Sequence, residues 1–234
     1  MFPLYHSHLK FPFPLHLASA QWLGIYKLAE GVILLDRISK MLRKKQSLVL
    51  GVYGAPNAGK TTLANRISLD FAGVEVGTVS PIPHETRKAT VAKHVNIRFN
   101  GKGVDVDLVD MPGIASKVDY REFMKHGLSE EEAVERAKEA TRGVIEAIQW
   151  LDNIDLALTV FDSTKVPFDQ VNLVILGNLK AKKIPTILVA NKVDLPEARP
   201  ELVKESFPGY KVVCVSALRG DNMEELYKAI AEYC

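Results

Sequence analysis

Three short strings in this chain have the residue types and spacing that phosphate and purine chemistry need. Gly54-Ala-Pro-Asn-Ala-Gly59-Lys60-Thr61 fits the pattern G-x-x-x-x-G-K-[ST]. In such a loop the glycines let backbone amides turn inward around phosphate oxygens, and the lysine, here Lys60, neutralises them. Gly54, Asn57, Ala58, Gly59, Lys60, Thr61 and Thr62 are the expected phosphate contacts. The Thr61 hydroxyl would go to Mg²⁺, a hard cation that prefers oxygen donors and keeps several waters. Asp110-Met-Pro-Gly113 adds a carboxylate able to hold the magnesium through a water, and a Gly113 amide able to sense a terminal phosphate. Alone, that tetrapeptide is a common turn former. Its order and position after the first loop give it weight.

Asn191-Lys192-Val193-Asp194 separates guanine from adenine. Guanine presents two donors on one edge, the ring N1–H and the 2-amino group, and an ionised Asp194 has only acceptors. Adenine offers neither donor there, so an ATPase would leave Asp194 idle. Asn191 is expected to brace neighbouring loops and the Lys192 stem to cover one face of the base. Ser216-Ala217-Leu218 supplies a small-residue turn whose backbone amide can meet the guanine O6; by itself it reads equally well as a strand-to-helix turn.

These strings need a scaffold, and the rhythm of the chain supplies one. SLVLGVYG (47 to 54) is the short apolar run of a buried strand, and residues 60 to 69 follow as a helix. Residues 93 to 99 and 104 to 110 alternate apolar and polar around Asn100-Gly101-Lys102-Gly103, which predicts an antiparallel hairpin. Ser129 and Glu132 form a capping box for a helix running to about Trp150. Strands are expected over 155–161, 186–190 and 211–216, with helices near 169–181, 197–205 and 221–232. The alternation implies an α/β fold, a mostly parallel sheet with one antiparallel edge hairpin and helices on both faces. In front lie an irregular tail (1–18) and an amphipathic helix (19 to about 45), so the domain division is 1–46 and 47–234.

The bulk numbers narrow the function classes. The chain has 234 residues, 47% of them hydrophobic and 25% charged, which fits one sizeable folded core plus an appendage. Thirty Lys and Arg nearly cancel twenty-eight Asp and Glu, so charge gives no case for direct nucleic-acid binding. Only Cys214 and Cys234 occur, and no apolar stretch reaches the roughly 18 residues of a membrane span. A cytoplasmic protein without disulfides or a transmembrane segment is expected. His6, His8 and His16 crowd the tail, but no cysteine or carboxylate completes a metal set there. The 19–45 helix carries Trp22 and ends in Arg43, Lys44 and Lys45; it reads as packing against the main domain or a partner rather than against lipid, because Glu30 and Asp36 oppose anionic membranes.

Taken in order, the three strings and the Ser216–Leu218 turn resemble those of the TRAFAC class of P-loop GTPases, over residues 47 to 234, and the GxPNxGK[ST] loop is similar to the Era, Der and TrmE branch. The resemblance implies a G domain, GTP and GDP as ligands, Mg²⁺ as cofactor, and a K⁺ ion associated with Asn57 that assists hydrolysis. It also implies a first switch at Glu85-Thr86-Arg87, with Thr86 the second magnesium hydroxyl; Thr90 is a rival. Lys60, Thr86, Asp110 and Gly113 are then the catalytic set. Ras-type proteins place a glutamine after the second motif to orient water. This chain has Ile114, so catalysis would use a group from elsewhere and intrinsic turnover would be slow. Era carries an RNA-binding domain after its G domain, whereas this chain ends with the helix after Ser216-Ala217, so a role in ribosome assembly is not carried over.

Two functions remain open from the sequence. One is a GTP-hydrolysing switch whose loops at Thr86 and 113–128 are read by an unidentified protein or ribonucleoprotein partner. The other is a GTP-dependent binding module with negligible hydrolysis. Residues 115–150 are long for a minimal G domain: either a helix there carries nucleotide state to a partner, or the insertion is passive.

Overall fold

The computed structural model describes residues 47–79, 86, 88–115 and 118–233. The tail and helix expected over 1–46 lie outside the described residues, as do Glu85 and Arg87 beside Thr86.

Strand β1 (Leu48–Gly54) is apolar on both faces because it lies inside the sheet. It pairs in parallel with β3 (Lys102–Asp110) on one side and β4 (Leu156–Asp162) on the other. β5 (Thr186–Asn191) and β6 (Lys211–Cys214) extend the parallel sheet, and β2 (Thr90–Phe99) closes the opposite edge antiparallel to β3. The order is β2-β3-β1-β4-β5-β6. Register places Val52 opposite Asp110, Gly54 opposite Val160 and Asp162 opposite Asn191, so the motif-bearing ends finish along one rim. Ligand sites of open α/β sheets form at that rim.

Alternation along the strands sends side chains to two cores. Leu50 and Val52 pack with Leu63 and Ile67 of α1 (Lys60–Ala72) and Leu226 and Ile230 of α6 (Met223–Ala231). On the other face Tyr53 and Val109 join Ala147 of α3 (Glu130–Trp150), Ile175 of α4 (Gln170–Ala181) and Val203 of α5 (Pro200–Ser206). Each fully buried Leu or Ile contributes about 1.5–3 kcal/mol, so these two layers hold the sheet rigid beneath its loops.

Several boundaries differ from the sequence reading, each for a physical reason. α1 runs on to Ala72 and stops where Gly73, at φ 71°, donates to the carbonyls of Ser68 and Leu69. β2 begins at Thr90, because a bulge between Ala92 and Val95, with His94 at φ 56°, interrupts the alternation that marks its later half. β6 ends at Cys214, and Ser216 instead bridges to Asp221. A short helix not expected from the pattern, α2 (Tyr120–Met124), is capped by Asp119 and packs Phe123 against Ala133 and Ala140 of α3. The capping box at Ser129 and Glu132 forms as read. Among the described residues no helix is long and apolar enough to cross a membrane.

Candidate functional site

The loop from Gly54 to Gly59 takes positive φ at three positions, 151° at Gly54, 60° at Asn57 and 92° at Gly59. Such backbone turns amides toward a common concavity. α1 then begins at Lys60 without a side-chain cap on its amides and with no acidic residue in its first turn. By contrast α3 is closed by its capping box and carries Glu130, Glu131 and Glu132 in its first turn. Of these two helix starts, that of α1 leaves its first amides without a side-chain cap and without an adjacent carboxylate, the condition an anion site needs. Ala58 is buried beneath the loop, while Asn57 stands exposed at its crest and Thr62 sits in the first turn of α1.

Lys60 is itself buried, and its Nζ donates to the Ala55 carbonyl at 2.9 Å. Burial pushes its ammonium down to about 8, against the opposing pull of Asp110. Asp110, fully buried at the end of β3, has its carboxyl pushed up by burial, while Thr61, Lys60 and Thr86 work to lower it. Thr61 Oγ1 donates to Asp110 Oδ2 at 2.6 Å, lies 2.9 Å from Thr86 Oγ1, and Thr86 Oγ1 is 3.3 Å from the same carboxylate oxygen. The structure therefore brings Thr86 to this cluster and sets Thr90 in β2, opposite the Asp110 backbone. Asp110 Oδ1 is buried with no hydrogen-bond partner among the described residues.

Gly113 passes so close to the loop that an added Cβ would meet Pro56 Cα at 3.0 Å. Ile114 is 6% exposed and belongs to the core beneath α3, its amide donating to the Gly54 carbonyl. The residue after the second motif is thus a core residue. Asn65 of α1 accepts the amides of Val76 and Gly77 and donates to the Gly77 carbonyl, fastening the chain that leads toward Thr86. Beside Thr86 a cleft of about 570 Å³ opens toward α3, lined among others by Gly77, Lys88, Arg142 and Glu146.

At the other end of the rim, Asn191 ties two loops together. Its Nδ2 donates to the Ala58 carbonyl at 3.0 Å and its Oδ1 accepts the Ala217 amide at 3.0 Å. The Asp194 side chain is 7% exposed; a hydrogen bond from Ser216 is the largest of several influences holding its carboxyl below the usual range. Arg219 approaches the same carboxylate at 3.4 Å. Lys192, at φ 67°, sends its ammonium to Asp162 at 2.7 Å. Leu218 is 73% exposed, and its carbonyl and that of Ala217 accept from Arg66 of α1. Arg66, Asp162 and Glu146 escape a motif search, because each acts through a tertiary contact between distant segments.

The arrangement has relatives. The family described as 50S ribosome-binding GTPase matches residues 49–192. The tRNA modification GTPase MnmE of Chloroflexus aurantiacus is 34% identical over 193 residues, covering 82% of this chain and 35% of that protein. GTPase Era of Clostridioides difficile is 30% identical over 194 residues, covering 79% of this chain and 54% of its own length. The chain thus spans between about a third and a half of the curated relatives it matches. Among solved structures, Aquifex aeolicus Era bound to GDP and AlF4⁻ matches with a TM-score of 0.60 and 26% identity, over 79% of this chain and 56% of that one. Fold, motif order and these matches agree, and the chain belongs to this GTPase family, within the TRAFAC class of P-loop GTPases.

Proposed function

We propose that the chain binds guanine nucleotides, hydrolyses GTP to GDP and phosphate with Mg²⁺, and serves as a switch read by a partner. The observation that carries this reading is the convergence of Thr61, Thr86 and Asp110 within 2.6–3.3 Å of one another. Two hydroxyls and a buried carboxylate with one oxygen unpartnered among the described residues are a hard-oxygen donor set that suits magnesium. When bound, Mg²⁺ would neutralise charge on the phosphate oxygens. Lys60 and the amides of 54–62 would grip the phosphates, and the Gly113 amide would face the terminal one. Asp194 would take the two guanine donors, with the Ser216–Leu218 turn at O6. Asn57, exposed at the crest of the loop, would hold the K⁺ ion that the resemblance to the Era and TrmE branch implies.

A second reading, a GTP-dependent binding module with negligible hydrolysis, is favoured by one observation: the buried Ile114 leaves no side chain there to orient water. The partner, a protein or ribonucleoprotein, would read the segments around Thr86 and 113–128. Magnesium-dependent hydrolysis of GTP and ATP, measured in K⁺ and Na⁺ buffers of equal ionic strength, separates the readings. Turnover of GTP alone, faster in K⁺, is the expected result. Binding of GTP without turnover in either salt would favour the module, and equal turnover of ATP would overturn the assignment of Asp194.

A further inference from the structure

We propose that Asp162 is a positioning residue for nucleotide binding: it anchors the Lys192 ammonium, and so holds the lysine stem as a fixed apolar rail for the purine face. The inference rests on the guanine-binding reading of Asn191–Asp194 and names a residue outside every motif string.

Asp162 ends β4 directly opposite Asn191 of β5. The next residue, Lys192, has left-handed backbone, and its Nζ donates to Asp162 Oδ2 at 2.7 Å. The two carboxylate oxygens have separate duties. Oδ1 accepts the Thr164 amide at 3.1 Å and the Thr164 hydroxyl at 2.7 Å, the pattern of an aspartate closing its own turn. Oδ2 is left for Lys192, with Lys165 more distant at 3.7 Å. Burial raises the Asp162 carboxyl, but the Lys192 and Thr164 hydrogen bonds outweigh it and leave the group below its usual range. An aspartate that only closed a turn would need Oδ1 alone.

The anchor is also enclosed and hydrogen-bonded on several sides. The Asp162 side chain is 7% exposed, and the loop after it is stitched to the Lys192 segment, Ser163 N to the Asn191 carbonyl at 3.0 Å and Arg199 N to the Ser163 carbonyl at 2.7 Å. The Lys192 side chain, 29% exposed, is therefore pinned at both ends, at its Cα and at its Nζ, two residues before Asp194. A free lysine side chain loses rotamer entropy when it orders against a ligand; one ordered beforehand loses little. Base selectivity stays with Asp194, so Asp162 would change how tightly nucleotides bind and not which base is preferred.

The test is GDP binding by titration calorimetry to the wild type, Asp162→Asn, Lys192→Met and the double variant, with IDP as second ligand. Asp162→Asn should weaken GDP about tenfold, and Lys192→Met by a similar factor, since each removes the anchor. In the Lys192→Met background, Asp162→Asn should add less than about twofold. The GDP-to-IDP affinity ratio, which reads Asp194, should be unchanged throughout. Thr164→Val, which removes only a bond to Oδ1, should alter GDP affinity by less than about twofold. Additive losses in the double variant, a Lys192→Met protein that binds like wild type, or a Thr164→Val loss as large as that of Asp162→Asn would overturn the proposal. Lys192→Met decides the matter even if Asp162→Asn does not fold. A wild-type chain that binds no GDP would instead overturn the guanine-site reading itself.

Discussion

Glu146 accepts the backbone N–H of Ala89 at 3.1 Å, joining helix α3 to the chain three residues beyond Thr86. The next residue on the helix, Ala147, lies in the same buried cluster as Ile114, directly after Gly113. One stretch of α3 therefore hydrogen-bonds the segment beyond Thr86 and shares a buried cluster with the segment beyond Gly113. Removing the carboxylate with Glu146→Ala should cost about 1–2 kcal/mol, the worth of a charge-assisted hydrogen bond. It should also speed hydrogen exchange at the Ala89 amide roughly tenfold. Glu146→Gln, which still accepts a hydrogen bond, should recover most of both. Unchanged exchange at Ala89 in the alanine variant would show that the contact holds nothing in place.

The Lys60 ammonium, pushed down to about 8 by burial, sits below its ordinary 10.5. Between those values the unfolded chain binds more protons than the folded one, so the Lys60 contribution to stability of the free protein rises with pH across that window. A bound polyphosphate favours the charged amine, so GDP binding should take up about three quarters of a proton near pH 8.5 and about a tenth near pH 7. Calorimetry in two buffers of different ionisation heat measures this directly. Equal uptake at both pH values would exclude Lys60 as the group.

Asp194→Asn exchanges an acceptor for an amide that can donate. GDP affinity should fall by about a hundredfold or more, and XDP, whose 2-oxygen is an acceptor, should become the better ligand. Competition between the two diphosphates reads the switch; retained GDP preference would place the base elsewhere.

Gly59 and Gly101 offer a matched pair. Both have positive φ, 92° and 79°, but a Cβ at Gly59 would lie 2.3 Å from Asn191 Nδ2, while one at Gly101 meets nothing within 4 Å. Gly101→Ala should cost about 1 kcal/mol, the backbone strain alone. Gly59→Ala should cost about 2–4 kcal/mol and abolish GDP binding, because it also displaces the Asn191 amide from Ala58. Urea unfolding of both variants gives the comparison, and equal losses would count against the close approach.

Local signals made most of the fold readable. The apolar run before Gly54, the hairpin turn at Asn100-Gly101 and the Ser129–Glu132 box each record a constraint set by neighbouring residues, and each element stands where its signal lies. The bulge in β2 was not legible, since only pairing with β3 reveals that the alternation breaks at His94. α2 was hidden because five residues are too few to show a helical period. In the site, Asn191 was expected to brace its neighbours and does so at both amide atoms. Which of Thr86 and Thr90 lies against Asp110 was not legible, because one-dimensional spacing does not show which one folds back; Thr86 does, 2.9 Å from Thr61, and its part in holding magnesium remains a proposal. Ile114 was read as leaving no glutamine after the second motif, and its burial in the core was not legible from the motif alone.

Asn191 serves Ala58 with one amide atom and Ala217 with the other, so a single side chain spans the segments proposed to grip opposite ends of the nucleotide. Substitution at this position is correspondingly constrained by geometry. A replacement at Asn191 keeps both contacts only if it supplies one donor and one acceptor together; a side chain with only one of them releases one of the two segments.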